Sequence, residues 1–154
     1  HRATDREDFE MTRSGSLDRI DALLSGITDP AFTAVIRAEP LAISGTPVLA
    51  YWMQSRANDW RTLNNIGSIT TVLIRGYFRL VESTNVRESV EADLWDAAFQ
   101  IDTVLRSDAN LADNCTDSNV GAATFSTEPV GNGLYRAVSV PFEIMIYEDV
   151  SITA

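Results

Sequence analysis

The chain contains no lysine, a single cysteine and a single histidine, and each shortage removes a class of function. The histidine is His1, at the terminus, so triads, dyads and metal sites built on an internal imidazole are excluded. Cys115 stands alone, which rules out an internal disulfide framework and a cysteine-rich zinc site. All 12 basic residues are arginine, set against 22 acidic ones, for a formal net charge of -10 and a pI near 4.4. So anionic a surface repels phosphates, and sequence-independent binding of nucleic acid is not the expected activity. No run approaches the roughly 18 consecutive apolar residues of a membrane helix, so no membrane partner is expected. Residues 1–15 mix both charge signs and lack the apolar core of a signal peptide. The chain opens on His1 and not on methionine, which leaves room for upstream residues. Asn114-Cys115-Thr116 matches the glycosylation triplet with no other secretory feature beside it, and an intracellular, reducing setting fits better.

What is present suits a folded core: 154 residues, 45% apolar, with a mean hydropathy of -0.05. There is no internal repeat, and the expected organisation is a charged arm over 1–15 followed by one domain over 16–154. Ser16 is placed to cap a first helix over about 16–26, whose stripe is Leu17, Ile20, Leu23, Leu24 and Ile27, with Gly26 and Asp29-Pro30 as stop signals. Three strands are expected next. Phe32–Glu39 puts Phe32, Ala34, Ile36 and Ala38 on one face, and Pro47–Gln54 is apolar on both. Ile69–Leu80 points Val72, Ile74, Phe78 and Leu80 one way and Thr71, Arg75, Tyr77 and Arg79 the other. Gly76 lies on the apolar side, where the missing side chain would admit a close-packed helix. The fourteen residues Ser55–Ser68 read as a long connection, a length that is usually functional or disordered.

The strongest helical signal is Val86–Ser107, with Asn85 and Glu88 resembling a capping box and a row of Val86, Val90, Leu94, Ala97, Ile101 and Leu105. Asp108–Gly121 is polar and reads as a solvated loop. A short strand over Ala122–Thr127, a turn at Gly131-Asn132-Gly133 and a last strand over Tyr135–Tyr147 follow. In that last strand Val138, Val140, Phe142, Ile144 and Ile146 face the core and Pro141 faces away, which suggests an edge or a bulge. The expected fold is α+β: a two-layer sandwich in which two helices pack on one face of a largely antiparallel sheet of about five strands.

Little in this inventory can do bond chemistry. Acidic neighbours would raise the Cys115 pKa and blunt it as a nucleophile. The Asp/Asn-rich run fails as an EF-hand loop from Asp108 and from Asp113, because the sixth positions are Asp113 and Ser118 where glycine is needed. Gly131-Asn132-Gly133 precedes a strand, so it is no phosphate loop. No catalytic residue, cofactor or metal is expected.

Contacts are better represented. Trp95 and Phe99 fall about 120° or more from the centre of the long helix's core row, beside Glu88, Glu91 and Asp102. Either a loop or the first helix covers them, or they form a subunit contact, since aromatics rimmed by charge compose interface cores. The outward sheet face shows Arg75, Tyr77 and Arg79, with Tyr135, Glu143 and Tyr147, and is either a wet face or a contact. Trp60, in the long connection with Arg56 and Arg61, points to a docked partner.

The element order, the helix SVEADLWDAAFQIDTVL after the strand TTVLIRGYF, the ending LYRAVSVPFEIMIYED and the opening SGSLDRIDALLSGI resemble the tail-terminator proteins of long-tailed, siphovirus-like bacteriophages over about residues 16–150. The resemblance rests on order and texture, as this family has no diagnostic motif. It implies a protomer that assembles into a six-fold ring at the head-proximal end of the tail tube. The ring stops tube polymerisation and meets the neck or connector protein, while DNA passes through the lumen without being gripped. It also implies a virion location at the tail–neck junction after assembly in the host cytoplasm. By position, Ser55–Ser68 matches a hairpin used for neighbour or tube contact. The arm before Ser16 and the run 108–120 depart from the family's pattern. Rival expectations are a head-completion or neck adaptor, a histidine-independent small enzyme, and a ligand-binding module using the Arg/Tyr sheet face.

Overall fold

A computed structural model describes residues 2–62, 65–80 and 84–149. Two helices and six strands follow in the order α1 (Arg2–Ser25), β1 (Ala34–Ile36), β2 (Val48–Thr62), β3 (Asn65–Arg79), α2 (Thr84–Arg106), β4 (Asp117–Val120), β5 (Thr124–Val130) and β6 (Gly133–Asp149). They build an α+β fold around one mixed sheet. The strands lie in the order β1-β2-β3-β6-β4, and β5 shares the β4 side of β6. Among the described residues only β1 and β2 run parallel; every other pairing there is antiparallel.

The centre of the sheet is the β3–β6 ladder, in register from Asn65↔Asp149 to Arg79↔Tyr135 without a shift. Alternation along both strands sends Val72, Ile74, Phe78, Val138, Val140, Phe142 and Ile144 to one face, all nearly inaccessible. Ile20, Leu24 and Ile27 from α1 and its exit, with Leu94, Ala97, Ile101 and Leu105 from α2, close that face into the main core. Val90 packs at its margin, whereas Val86 lies outside it and is largely exposed. Each buried aliphatic contributes roughly 1.5–3 kcal/mol, so the two helical rows hold the layers together.

Several expectations need correction. Helix α1 begins at Arg2, so residues 2–15 are helical where an arm was expected, and Ser16 lies within the helix. Its hydroxyl donates to the Asn114 carbonyl at 3.1 Å instead of capping. Gly15 permits this docking, because a Cβ there would collide with the Asn114 side chain. The segment Ser55–Ser68 is no loose connection: β2 and β3 pair through Trp60↔Ile66 and Thr62↔Asn65, with register shifts between Met53/Ser55 and Trp60/Thr62. Residues 63 and 64 lie outside the described residues. The run at Phe32–Glu39 keeps only three residues as strand. Phe32 packs edge-on against Phe78 at 5.8 Å in the main core, while Ile36 lies in a second cluster.

Gly76 makes room for strand side chains, not for a helix. A Cβ there would lie 3.2 Å from Val138 and 3.5 Å from Leu49. Pro141 sits in an internal strand, opposite Leu73 of β3. On its other side β4 ends at Val120↔Phe142 and β5 begins at Thr124↔Ser139, so no ladder needs the missing N–H. The Pro141 carbonyl accepts from Gly121 N at 2.8 Å, and a Cβ on Gly121 would press within 2.7 Å of the proline ring. The turn between β5 and β6 is as expected, with Gly131 at φ 58.

The polar run after α2 is also more structured than a solvated loop, and 117–120 of it form β4. Leu111, Ala112 and Asp113 are left-handed at φ 51, 55 and 65. Leu111 is fully buried, and the turn is tied by Asp108 Oδ1, which accepts from Ala112 N at 3.1 Å. Arg19 of α1 donates from Nε to Asp108 Oδ2 at 2.7 Å, and this bond leads the causes holding the Asp108 carboxyl below its ordinary value.

Two stability predictions follow from this turn. A left-handed alanine costs about 1–2 kcal/mol, against about 0.5–1 kcal/mol of extra chain entropy for glycine. Ala112→Gly should therefore raise urea-unfolding stability by about 0.5–1 kcal/mol; a loss would show that the turn is otherwise held. Because the folded Asp108 pKa is depressed, its contribution is fully present above the ordinary 3.8 and is lost as pH falls through the folded value. Asp108→Asn should cost about 0.5 kcal/mol at pH 7, a small figure because Arg19 is well exposed. The gap from the parent should close as pH drops below 3.8; a gap constant with pH would refute the ion-pair account.

Candidate functional site

Helix α2 presents two unlike faces. One carries the core row; the other carries Trp95 and Phe99, 73% and 64% exposed. Among the described residues neither the first helix nor a loop covers these two side chains. Beside them runs a groove of about 450 Å³ whose far wall is the crossover from β4 to β5, from Val120 through Ala123 to Phe125. Phe125, 45% exposed, is a third aromatic at this site that the sequence pattern did not single out. The one available signal was its place in an expected strand opposite a long helix. Asp102 and Arg106 close one end of the groove with a pair in which Arg106 Nε donates to Oδ1 at 2.8 Å and to Oδ2 at 2.9 Å. The exposed acids Glu88, Glu91 and Asp96 lie on the same helix. Burying Trp95 and Phe99 against a partner would release roughly 2–3 kcal/mol each.

The outward sheet face is only partly open. Tyr77 is 1% exposed and belongs to a second apolar cluster with Ala50, Val130 and Ala137, flanked by Ile43 and Trp52. It therefore offers no contact surface. Its ring meets Tyr135 edge-on at 6.4 Å, and burial leads the causes raising its hydroxyl pKa. Arg75 is likewise occupied within the fold: Nε donates to Ser139 Oγ at 2.8 Å, Nη2 lies 3.9 Å from Glu128, and the guanidinium stands 5.6 Å over the Trp52 ring. For Tyr77, Ile43 packs on a face that alternation alone assigns to solvent; the partners of Arg75 come from the neighbouring strands β2, β5 and β6.

Arg79 is exposed at the end of β3. Arg56 is exposed on β2, next to a smaller hollow shared with Met53, Leu17 and Ile146. Trp60 and Arg61 lie on the paired part of β2, and their side chains fall outside the described residues, as does that of Tyr147. The structure thus brings Trp95, Phe99 and Phe125 together, and leaves Arg56 and Arg79 at separate places.

Elsewhere the titratable groups serve structure. Tyr51 receives a hydrogen bond from Arg37 Nε at 2.8 Å and donates to Asp21 Oδ2 at 2.8 Å, linking β2 to α1. Burial first, then that Asp21 bond, pushes its pKa up to about 12. Cys115 is buried, and desolvation, with Asp117 and Asp108 nearby, pushes its thiol up to about 11. At neutral pH it is a poor nucleophile. Among the described residues no group of three or more His, Cys, Asp or Glu could hold a metal ion, and no described helix is long and apolar enough to cross a membrane.

Exposure of the aromatics yields a clear expectation. Trp95→Ala and Phe99→Ala should each change the unfolding free energy of the isolated chain by less than about 0.5 kcal/mol, measured by denaturant titration. A loss of about 3 kcal/mol or more would place that ring in the core instead.

No known protein family matches the chain, and neither does any curated protein.

Proposed function

We propose that this chain is a non-enzymatic virion protein that closes the head-proximal end of a bacteriophage tail tube with a ring of its own copies. The observation that carries the reading is the aromatic groove of Trp95, Phe99 and Phe125, rimmed by charge. An apolar strip in such a frame is the composition of an interface core. Ring closure needs a heterologous contact, in which two different surfaces of one protomer meet. The groove supplies one. The paired β2–β3 extension carrying Arg56, Trp60 and Arg61 is the second, and its outer edge beyond Ala50 has no strand partner among the described residues.

In this reading the ring ends tube growth and meets the neck or connector protein on its other side. DNA crosses the lumen without specific binding, in keeping with the net charge of -10. The lack of an internal histidine and the raised Cys115 thiol support a role in assembly over one in turnover.

The deciding experiment adds the purified chain to polymerising tail-tube subunits and measures tube lengths by electron microscopy. Shorter, capped tubes of narrow length distribution are expected, with capping lost in Trp95→Ala. Unchanged lengths at excess protein would refute the terminator reading.

A further inference from the structure

The edge of a sheet recruits further strands, because its outward N–H and C=O groups have no ladder partner. Along β6 the odd-numbered residues turn these groups toward β4 and β5: Met145 O accepts from Thr116 N and Pro141 O from Gly121 N, both at 2.8 Å. Thr124, Ser126, Glu128 and Val130 of β5 stand opposite odd residues of β6, so their backbone groups are spent on that ladder. Phe125, Thr127 and Pro129 turn theirs outward. Much of the outer edge is blunted. Pro129 has no N–H, and on β4 the outward N–H of Ser118 donates to Asp117 Oδ1 at 2.9 Å. Phe125 and Thr127 are left open: both are exposed, and no acceptor among the described residues takes their N–H.

A second open edge lies at the opposite end of the sheet. Thr33 N donates to Pro47 O at 2.8 Å, which sets the odd residues of β2 facing outward, and β1 occupies that edge only as far as Ala50. Tyr51 and Met53 come next, and past the register shift between Met53 and Ser55 the outward position passes to Arg56. The pairings β2–β3, β3–β6 and β6–β5 are all antiparallel, so β2 and β5 run in opposite directions. A head-to-tail repeat of the chain therefore lays β2 of one copy antiparallel along β5 of the next, with both helical layers on the same side. The side chains agree with this join. Met53, 66% exposed, and Arg56 stand opposite Val72 and Thr70, and Phe125 stands opposite Val138, all on the helix-facing side. Met53 thus arrives on the face that carries Phe125, Trp95 and Phe99, and a thioether packs well on aromatic rings. Arg56 arrives on the same face as Asp96 of α2; both are exposed, and neither is in an ion pair among the described residues.

We propose that the outer edge of β2 from a second copy of this chain adds to the Phe125–Thr127 edge of β5, so that the sheet continues from protomer to protomer. The proposal rests on the ring-forming reading and states how its two surfaces meet: backbone hydrogen bonds join the edges, and Met53 and Arg56 give the join its specificity beside the aromatic groove.

The test is residue-resolved amide hydrogen exchange of the full chain, free and after assembly with tail-tube subunits. In the free chain the Phe125 and Thr127 amides should exchange about 10-fold or more faster than those of Ser126 and Glu128, and in the assembled state they should slow to match them. Thr127→Pro puts a proline two residues before Pro129, at an equivalent outward position, and should weaken assembly about 10-fold, the upper worth of one hydrogen bond. Thr127→Ala keeps the N–H and should assemble as the parent does. The exchange measurement needs no variant, so it decides the matter even if the proline variant does not fold. Assembly with both amides still fast, or undiminished assembly of folded Thr127→Pro, would overturn this proposal and leave the ring reading standing. A parent chain that neither self-associates nor joins tube ends would overturn both.

Discussion

The ladder between β3 and β6, unbroken from Asn65↔Asp149 to Arg79↔Tyr135, sets the position of everything else in this protein. A side-chain period of two means that a slip of one residue would turn the whole apolar row of both strands to the wrong face. With the register fixed, Val72, Ile74, Val138, Val140 and Phe142 form a continuous floor, and the stripes of α1 and α2 can close only over that floor. The same strands carry the pairing outward, on one side to β2 and on the other to β4 and β5 in tandem. The gap between β4 and β5 lies opposite Pro141, where the chain has no N–H to offer. That gap also forms the far wall of the aromatic groove. A proline in an internal strand and an exposed apolar site thus share one structural origin.

The layers are joined by polar ties as well as by the core. Arg136 clamps Glu91 of α2 to the start of β6, Tyr51 links β2 to α1 through Asp21, and Arg19 fixes α1 to the turn after α2 through Asp108. Each tie joins elements far apart in sequence, and none of them covers Trp95 or Phe99. The helix is held firmly on one side while Trp95 and Phe99 stay uncovered on the other. A helix fixed on one side and presenting uncovered aromatics on the other is suited to assembly, because little backbone freedom remains to be lost on binding.

Legibility in the sequence followed burial. The α2 row and the alternation in β3 and β6 could be read because water on one side and core on the other impose a period. The helical start of α1 could not, since residues 2–15 carry no apolar stripe that a period could reveal. The strand character of 55–62 was hidden for the same reason: its residues pair through the backbone, and their polar side chains look like a loop. Tyr77 and Arg75 were misplaced by a different mechanism. Alternation assigns a face, but it cannot say that Ile43 packs over Tyr77 or that Ser139, Glu128 and Trp52 engage Arg75. Of the candidate contact residues, Trp95 and Phe99 were legible because excess apolar surface on an amphipathic helix needs no tertiary knowledge to see. Phe125 was not, because its role arises from the crossover between β4 and β5, which comes only after α2 has ended at Arg106.

On this account the chain works through surfaces it leaves unsatisfied, and the groove beside α2 is the principal one. Its most direct test is hydroxyl-radical footprinting of the free chain and of the chain mixed with tail-tube subunits, read by mass spectrometry at Trp95, Phe99 and Phe125. The account predicts strong oxidation of all three in the free chain and their joint protection in the assembled state. Equal oxidation in both states, with assembly confirmed by sedimentation, would contradict it.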